Sequence, residues 1–374
     1  MVFKRIGRIL CLGAALCLAL SGCSDNLVVS SLSSGNPEYE NQKIIFEGEI
    51  EGSREVTVSD MRKLPQKRLQ ASFQRTTGLM EEFSAAGPSL ADVMGSVGLD
   101  INSFKGIGVQ GRDGYYCMIT PETIQNQDLI MALAVDGEIE MPEDLRPARL
   151  CIKGEFGPYW VRMVDKIILY KEIPRKEIES VWVFDNLTAG IEPYYYEYYG
   201  SKDAAIEVAQ VLARFDNVNN KAFFTLKSSD GFTKNESINM VSKNYYIKVA
   251  GDDAPMNIAP NIKLGMNVKK IAWFSTNADA AVFPAEMIEL IGSKDINGQK
   301  GIILKDMLQE VQLRNVNEKQ FELLDVSGER IRVNGREMSS GLLLIKDDGT
   351  FPVIWQDGQS HKNLSNLLCV RYLK

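Results

Sequence analysis

The segment GPSLADVMGSVG at residues 87–98 predicts one complete short helix, and the rest of the fold can be built outward from it. Pro88 and Ser89 are residue types that start helices, and Gly98 is typical of a C-terminal cap. Between them, four apolar residues recur at helical spacing and share one face: Leu90, Val93, Met94 and Val97. We therefore expect a helix that packs this face against an apolar core.

The same helix pattern occurs again near the C-terminal end. Residues 90–99, LADVMGSVGL, are matched by residues 304–313, LKDMLQEVQL. In the middle of the chain, a further helix is expected to begin at Ser201 and to bury four residues: Ala205, Val208, Leu212 and Phe215. These matches indicate a repeated unit.

A strand and a tight turn follow each of these helices. Residues 107–114 and 224–231 both end in Asp-Gly, and residues 321–328 end more weakly in Ser-Gly. Asp-Gly supplies the positive-φ residue that a tight hairpin needs. An apolar strand then closes each copy, at residues 164–170, 268–274 and 364–370.

The fold class predicted from this order is strand-rich α+β, with degenerate repeats of one module. The spacing of about a hundred residues is too long for a solenoid unit, so each copy should be a domain. Chance matches within an ordinary α+β chain are the alternative. We expect three modules of declining completeness, at residues 44–172, 180–276 and 281–374.

The N-terminal residues predict a lipoprotein leader. Lys4, Arg5 and Arg8 form a positive region, followed by an uncharged, mostly apolar run of 12 residues that ends at Leu20. Such a run is too short to cross a bilayer, which takes about 20 residues, and it suits a signal peptide. The motif that ends it, Leu20-Ser21-Gly22-Cys23, resembles the lipobox of bacterial lipoproteins.

This resemblance implies cleavage after Gly22 and lipid attachment to the thiol of Cys23. Residues 1–22 would then be a signal peptide, residues 23–43 a flexible tether, and the protein would be anchored on the extracytoplasmic face of a cell membrane. An ordinary secretory leader with a chance cysteine is the alternative. Two or more acyl chains, such as palmitate, make attachment stable.

Charge and composition exclude several classes of function. The formal net charge is −7, and the leader removes three basic residues and no acidic one. Nucleic acid is therefore an unlikely partner. The single histidine, His361, is expected at the surface, so a zinc cluster or a Ser-His-Asp triad has little to draw on. We assign no catalytic or metal-ligating residue.

Three cysteines remain outside the leader and the lipobox: Cys117, Cys151 and Cys369. Cys117 and Cys151 could form a disulfide, or serve a thiol-redox protein, but buried free thiols are the commoner case on apolar strands. The tyrosine-rich run at residues 194–199 is expected to pack between domains, and an exposed face for a glycan or a partner is the alternative.

A series of short motifs between residues 44 and 170 carries a family resemblance. The motifs are GEI at 48–50, VTVSDM at 56–61, LP at 64–65, GPSLADV at 87–93, GRDGY at 111–115, IMALAVDGE at 130–138, RPARL at 146–150 and YWVRMVDKI at 159–167. In this order they resemble the molybdopterin-binding domain of the sulfite oxidase family. The other two copies share only the order of helix, hairpin and closing strand with this domain.

The resemblance implies a cofactor site, and the sequence departs from it. In the family, molybdenum is bound by a pterin dithiolene and one protein cysteine, at a position that falls on Arg75 here. No cysteine lies between Cys23 and Cys117, and the family's histidines near the pterin are missing as well. A guanidinium has no lone pair to give, so it cannot replace a thiolate. Any ligand near Arg75 should be an anion.

Three hypotheses follow for function. The first is a non-catalytic envelope lipoprotein that binds a ligand or other envelope proteins and holds no cofactor. The second is a molybdopterin-dependent oxidoreductase, or a subunit of one, and only this hypothesis requires molybdopterin. The third is a thiol-redox protein. Besides Arg75, the candidate ligand contacts are Arg112 and Asp113, which flank the first hairpin turn.

Overall fold

A computed structural model describes residues 34–74, 80–126, 128–153, 160–198, 201–216, 223–262, 267–296, 298–355 and 363–374. Over these ranges the protein is a strand-rich α+β fold, which confirms the fold class predicted from the sequence. Within the described ranges, none of the helices has the length and apolar character that a membrane span requires.

The first copy begins at Pro37 and ends at Tyr170. Its helices are α1 (Pro37–Glu40), α2 (Val58–Arg62), α3 (Leu90–Ser96) and α4 (Pro121–Asn126). Its strands are β1 (Lys43–Gly48), β2 (Arg54–Thr57), β3 (Gln66–Gln74), β4 (Met80–Pro88), β5 (Gly106–Gly111), β6 (Tyr116–Ile119), β7 (Leu129–Ala132), β8 (Ala134–Val135), β9 (Arg149–Ile152) and β10 (Val164–Tyr170).

The second and third copies follow with the same elements. The second contains β11 (Ser180–Val183), α5 (Phe184–Thr188), β12 (Tyr194–Tyr198), β13 (Ser201–Glu207), α6 (Val208–Leu212), β14 (Phe223–Ser228), β15 (Thr233–Ser237), α7 (Ile238–Asn244), β16 (Tyr246–Lys248), β17 (Met256–Ile258) and β18 (Ile271–Ser275). The third contains β19 (Asp279–Val282), α8 (Pro284–Ile291), β20 (Lys294–Ile296), β21 (Gln299–Ile303), α9 (Leu304–Glu310), β22 (Gln320–Asp325), β23 (Arg330–Asn334), β24 (Gly341–Leu344), β25 (Val353–Trp355) and β26 (Leu367–Leu373).

One order of elements recurs in all three copies: a strand, a helix, a hairpin, a second helix, a second hairpin, a further helix or 3-10 turn, and then the remaining strands. The 3-10 turn Glu337–Ser339 stands in the third copy where α4 and α7 stand in the others. Over the described residues, the second and third copies keep this order but contain fewer strands and helices than the first copy.

The repeated motifs lie at equivalent places in the copies. Leu90 and Leu304 are the first residues of α3 and α9, and both are fully buried. Gly114, Gly231 and Gly328 occupy the turns of the second hairpins with φ of 82°, 89° and 92°. A positive φ costs glycine little, because it has no Cβ.

The second and third copies each use a small sheet built from the first hairpin and two later strands. The second and third copies form the sheets β12-β13-β16-β17 and β20-β21-β24-β25. In the first copy the corresponding strands are β3-β4, extended by β8, and the pair β7-β9. A bridge between Ser89 and Ile130 joins the end of β4 to β7.

The second and third copies share one large sheet with the order β15-β14-β18-β19-β11-β26-β22-β23. The first strand of each copy lies beside the closing strand of the other, since β11 pairs with β26 and β19 pairs with β18, both antiparallel. β11 and β19 are parallel neighbours at the centre. Equivalent strands therefore follow the same order from either edge, as in a two-fold arrangement.

The two faces of this shared sheet carry two different cores. Val181 and Val183 of β11 contact the core that contains α9. Trp182, between them, contacts the core that contains α6. The sequence suggested two separate modules here, whereas the structure shows two copies joined by exchanged strands.

The first copy supplies for itself the strand that the other two obtain from each other. Its large sheet has the order β2-β1-β10-β5-β6. β1 lies between β10 and β2, which is the place that β19 fills between β18 and β11. The first copy therefore has a complete sheet of its own.

Part of the segment expected to be a tether is folded. Asn36 caps α1 by accepting hydrogen bonds from the backbone N–H groups of Glu38 and Tyr39 at 3.1 and 3.2 Å. Tyr39 is fully buried, and its hydroxyl donates to Pro147 O at 3.1 Å. Asn and Ser favour helix caps as well as flexible linkers, so composition alone placed the boundary at residue 43 too late.

The helix expected from Ser201 is wrong. Residues 201–207 form strand β13, which pairs with β12, and α6 begins only at Val208. The four residues expected to be buried are buried all the same: Ala205, Val208, Leu212 and Phe215. A strand that runs directly into a helix can bury residues at this spacing, so the apolar pattern did not distinguish the two.

Candidate functional site

Several residues singled out from the sequence lie outside the described residues. They are Arg75, His361, Cys23 and the lipobox residues Leu20, Ser21 and Gly22. Arg75 directly follows the last residue of β3 in the chain. The surroundings of that strand are described, and they define the candidate site.

The outer face of the β3–β4 hairpin carries a small apolar cluster that is separate from the main core of the first copy. Strand alternation places Leu69 and Ala71 of β3 beside Phe83 and Ala85 of β4. Strands β7 and β9 add Ile130, Ala132 and Cys151, and the segment before β10 adds Trp160. We call this cluster the hairpin face.

A buried arginine lies within the hairpin face. Arg149 on β9 is 6% exposed, and its guanidinium carbon lies 4.6 Å from the ring centroid of Phe83 and 5.9 Å from that of Trp160. The two rings meet edge to face with centroids 5.6 Å apart. Attraction between a cation and aromatic faces stabilises this arrangement. A guanidinium stays charged at any physiological pH, so the face carries a permanent cation.

The thiols of the first copy are not available as ligands. Cys151 is fully buried on the hairpin face, and burial raises its pKa to about 12 although Arg149 opposes the shift. Cys117 is buried in the main core. Neither is disulfide-bonded, and they belong to different clusters. The disulfide considered from the sequence is therefore not formed, and the structure does not support a thiol-redox pair.

Arg112 and Asp113 lie at the junction of the first and second copies. The Arg112 backbone N–H donates to Met163 O at 3.0 Å, and its side chain is exposed. Asp113 is 6% exposed, and its Oδ1 accepts a hydrogen bond from the backbone N–H of Tyr115 at 3.1 Å. The turn that holds them packs against β15 of the second copy, through a bridge between Tyr115 and Glu236.

This junction contains a buried ionic group that sequence reasoning missed. The Nζ of Lys234 lies 2.5 Å from Oε1 of Glu236, and the Tyr245 hydroxyl donates to the same oxygen at 2.6 Å. The side chains of Lys234 and Glu236 are 2% and 0% exposed. The one available signal was the alternation along β15, which places Lys234 and Glu236 on the same side of the strand.

Burial raises the pKa of Glu236 to about 7, and Asp113 adds to this effect, while Lys234 and Tyr245 oppose it. Burial also raises the pKa of Asp165 to about 6, against the influence of Arg112. Gly114 faces this group closely, because a Cβ there would lie 3.0 Å from the Tyr245 hydroxyl and 3.2 Å from Oε2 of Glu236. The glycine of the Asp-Gly turn, Gly114, is thus required by packing as well as by its positive φ.

Metal ligands are absent from the described part of the chain, where no group of three or more His, Cys, Asp or Glu side chains is arranged to hold a metal ion. The hairpin face offers one cation, two aromatic rings and a protonated thiol. Its chemistry suits the recognition of an anion or an aromatic group.

Comparison with known proteins finds a similarity that is concentrated in the first copy. Among solved structures, the chain is similar to the crystal structure of the sulfane dehydrogenase SoxCD from Paracoccus pantotrophus, at 13% identity and a TM-score of 0.33, over 81% of this chain and 79% of that chain. No match was found among curated proteins. Residues 34–177 match the family model of the oxidoreductase molybdopterin binding domain. The first copy of the module, within its strand-rich α+β fold, is therefore similar to the oxidoreductase molybdopterin binding domain over these residues.

Proposed function

We propose that this chain is a lipid-anchored extracytoplasmic protein whose first copy binds an anionic ligand or a partner and does not carry out molybdenum redox chemistry. The observation that supports the proposal most directly is the state of the thiols in the matched domain. Residues 34–177 contain Cys117 and Cys151 and no other cysteine, and both are buried and not disulfide-bonded.

The residues present do not fit a thiolate-ligated molybdenum centre. A metal-bound cysteine must lose its proton, and burial raises the pKa of Cys151 to about 12. The sequence places Arg75 where the family has its ligand cysteine. Arg149, the buried cation of the hairpin face, adds a permanent positive charge near strand β4. The site is therefore better suited to an anion than to molybdenum.

An anion is the ligand class that the charges favour. Guanidinium groups recognise carboxylate, sulfate and phosphate through paired hydrogen bonds. Arg75 follows β3 in the chain, and Arg149 lies against Phe83 of the adjacent strand. Arg75→Ala should weaken binding of inorganic phosphate or sulfate, measured by calorimetry. Arg54→Ala is the matched control, since it removes an exposed arginine of the same domain on strand β2.

Metal and pterin analysis of the protein purified from its own host tests the proposal. We expect neither molybdenum nor pterin in stoichiometric amounts. Arg75→Cys should not restore cofactor binding, because one thiol does not supply the other contacts that a large cofactor needs. Stoichiometric molybdenum in the native protein would overturn the proposal.

A molybdopterin-dependent oxidoreductase, or a subunit of one, is the second candidate. The match of residues 34–177 to the molybdopterin binding domain favours it. It would require the cofactor to be held without a protein thiolate, and the same metal analysis decides between the two.

The anchor is tested separately. Cys23→Ala should leave the protein unprocessed or released from membranes, because the thiol that accepts lipid is lost. Detergent partitioning and the intact mass of the N-terminal peptide report the outcome. A variant that is cut at the leader and still partitions like the wild type would contradict the lipoprotein assignment.

A further inference from the structure

Strand β12 is an exposed edge with an unusual sequence. It lies at one end of the sheet β12-β13-β16-β17, so in the described part of the chain it has a neighbouring strand on one side only. Its five residues are YYYEY, and Tyr194 and Tyr195 are 44% and 55% exposed. Packing between domains, expected from the sequence, is therefore wrong for these two side chains.

The equivalent edge strands of the other two copies are protected by charge. Strand β3 carries Lys67 and Arg68, and both are exposed. Strand β20 has only three residues, and two of them, Lys294 and Asp295, are charged and exposed. Charged residues, lysine above all, and short length keep edge strands from pairing with other chains. β12 has the same place in the module and no basic residue.

We infer that β12 pairs antiparallel with β12 of a second copy of this chain, and that the protein forms a two-fold symmetric dimer through a continuous sheet. The sequence is nearly symmetric about Tyr196. Pairing centred on this residue places position 195 of one chain opposite position 197 of the other chain, and position 194 opposite position 198. A two-fold axis requires such self-complementary pairing.

Charge fits this register. Within each chain of the dimer, Glu197 is the direct cross-strand partner of Lys202, and the Nζ of Lys202 lies 5.6 Å from the ring centroid of Tyr195. In the dimer, Glu197 of one chain faces Tyr195 of the other chain, so no two like charges are opposite. A register centred on position 197 instead would place the two Glu197 side chains opposite each other, which is unfavourable.

Sedimentation velocity of the full chain over a range of concentrations tests the dimer. Tyr195→Glu keeps a favourable neighbour within the fold, since Lys202 is adjacent, but it places two glutamates opposite each other across the interface. We expect the dissociation constant to rise by about twofold to thirtyfold, since two symmetry-related pairs are lost at once. The matched control is Gln70→Glu, which adds the same charge to an exposed position of the equivalent strand β3 and should leave the dimer unchanged.

A charge exchange keeps the inference open to contradiction even if Tyr195→Glu disturbs folding. The double variant Tyr195→Glu, Glu197→Tyr again places a glutamate opposite a tyrosine and should restore the dimer. Cross-linking tests the register: in a Cys23→Ser background, Tyr196→Cys should form an intermolecular disulfide, and Tyr194→Cys should not. Three outcomes would each overturn the inference: a monomer at all concentrations, a dimer that Tyr195→Glu leaves intact, or equal cross-linking at 194 and 196. The inference does not depend on what the first copy of the module binds.

Discussion

At the scale of single residues, the junction between the first two copies depends on Glu236. Its carboxylate is fully buried and receives a hydrogen bond from Tyr245 and an ion pair from Lys234. Its Oε2 has no hydrogen-bond partner among the described residues. Removing one member of such a group leaves the others buried without compensation, so these residues should be far less tolerant of substitution than surface charges.

The pH dependence of stability should reflect Glu236. Its pKa is about 7 in the folded protein against an ordinary value of 4.5. Between these values the folded state holds a proton that the unfolded state has released, so the free energy of unfolding falls as the pH rises across this window. Glu236→Gln should therefore reduce that fall. The pKa of Asp165 is raised to about 6, so this residue also lowers the free energy of unfolding as the pH rises. Part of the pH dependence should therefore remain in Glu236→Gln.

Urea denaturation at about pH 5 and about pH 7.5 measures this effect. Glu82→Gln, which removes an exposed carboxylate on β4, is the control and should keep the wild-type pH dependence. An identical change in unfolding free energy between the two pH values for wild type and Glu236→Gln would contradict the assignment.

At the scale of elements, close approach of strands decides which glycines are required. In β4, a Cβ at Gly87 would lie 2.0 Å from the backbone oxygen of Met131 in the adjoining strand β7. In α3, a Cβ at Gly95 would meet nothing within 4 Å. The two glycines lie eight positions apart and differ completely in their surroundings.

Opposite effects on stability are expected from one substitution at these two positions. Gly87→Ala should destabilise the fold by roughly 1–3 kcal/mol, because β4 and β7 must separate. Gly95→Ala should stabilise it by about 0.5–1 kcal/mol, because alanine loses less entropy in a helix. Thermal and urea denaturation of both variants measure the difference. Effects of the same sign would show that the contact between β4 and β7 is not as close as described.

At the scale of the whole molecule, strand exchange makes the second and third copies one folding unit. β11 belongs to the second copy by sequence but lies beside β26 of the third, and β19 lies beside β18 of the second. If the second copy were separated from the third, each would lack the strand that the other places beside its closing strand. The apolar residues that β11 and β19 cover would then be exposed. The first copy has β1 in that place, so its large sheet is complete without a strand from the other copies.

Fragments test this division. Residues 34–177 should fold alone, residues 178–374 should fold together, and residues 178–276 should not fold. Circular dichroism with thermal melting, together with dispersion of amide resonances, measures folding in each. Cooperative unfolding of the 178–276 fragment would contradict the role of the exchanged strands.

The sequence by itself determined the local features, because these depend on residues close together in the chain. The cap at Ser89, the buried face of α3 and the positive φ of Gly114 follow from a few neighbouring residues. So does the order of motifs that matches residues 34–177 to the molybdopterin binding domain. The lack of any cysteine between Cys23 and Cys117 is likewise a property of the sequence alone.

Only the tertiary structure decided which distant strands become neighbours. The exchange of β11 and β19, the burial of Asp113 against the second copy and the placement of Arg149 between Phe83 and Trp160 all join residues far apart in the chain. Apolar periodicity shows that a residue is buried but not against what. For this reason Ala205, Val208, Leu212 and Phe215 were correctly expected to be buried, while residues 201–207 were wrongly expected to be part of a helix. Pairing of strands across long loops is selected by the packing of the whole chain, and no local pattern contains it.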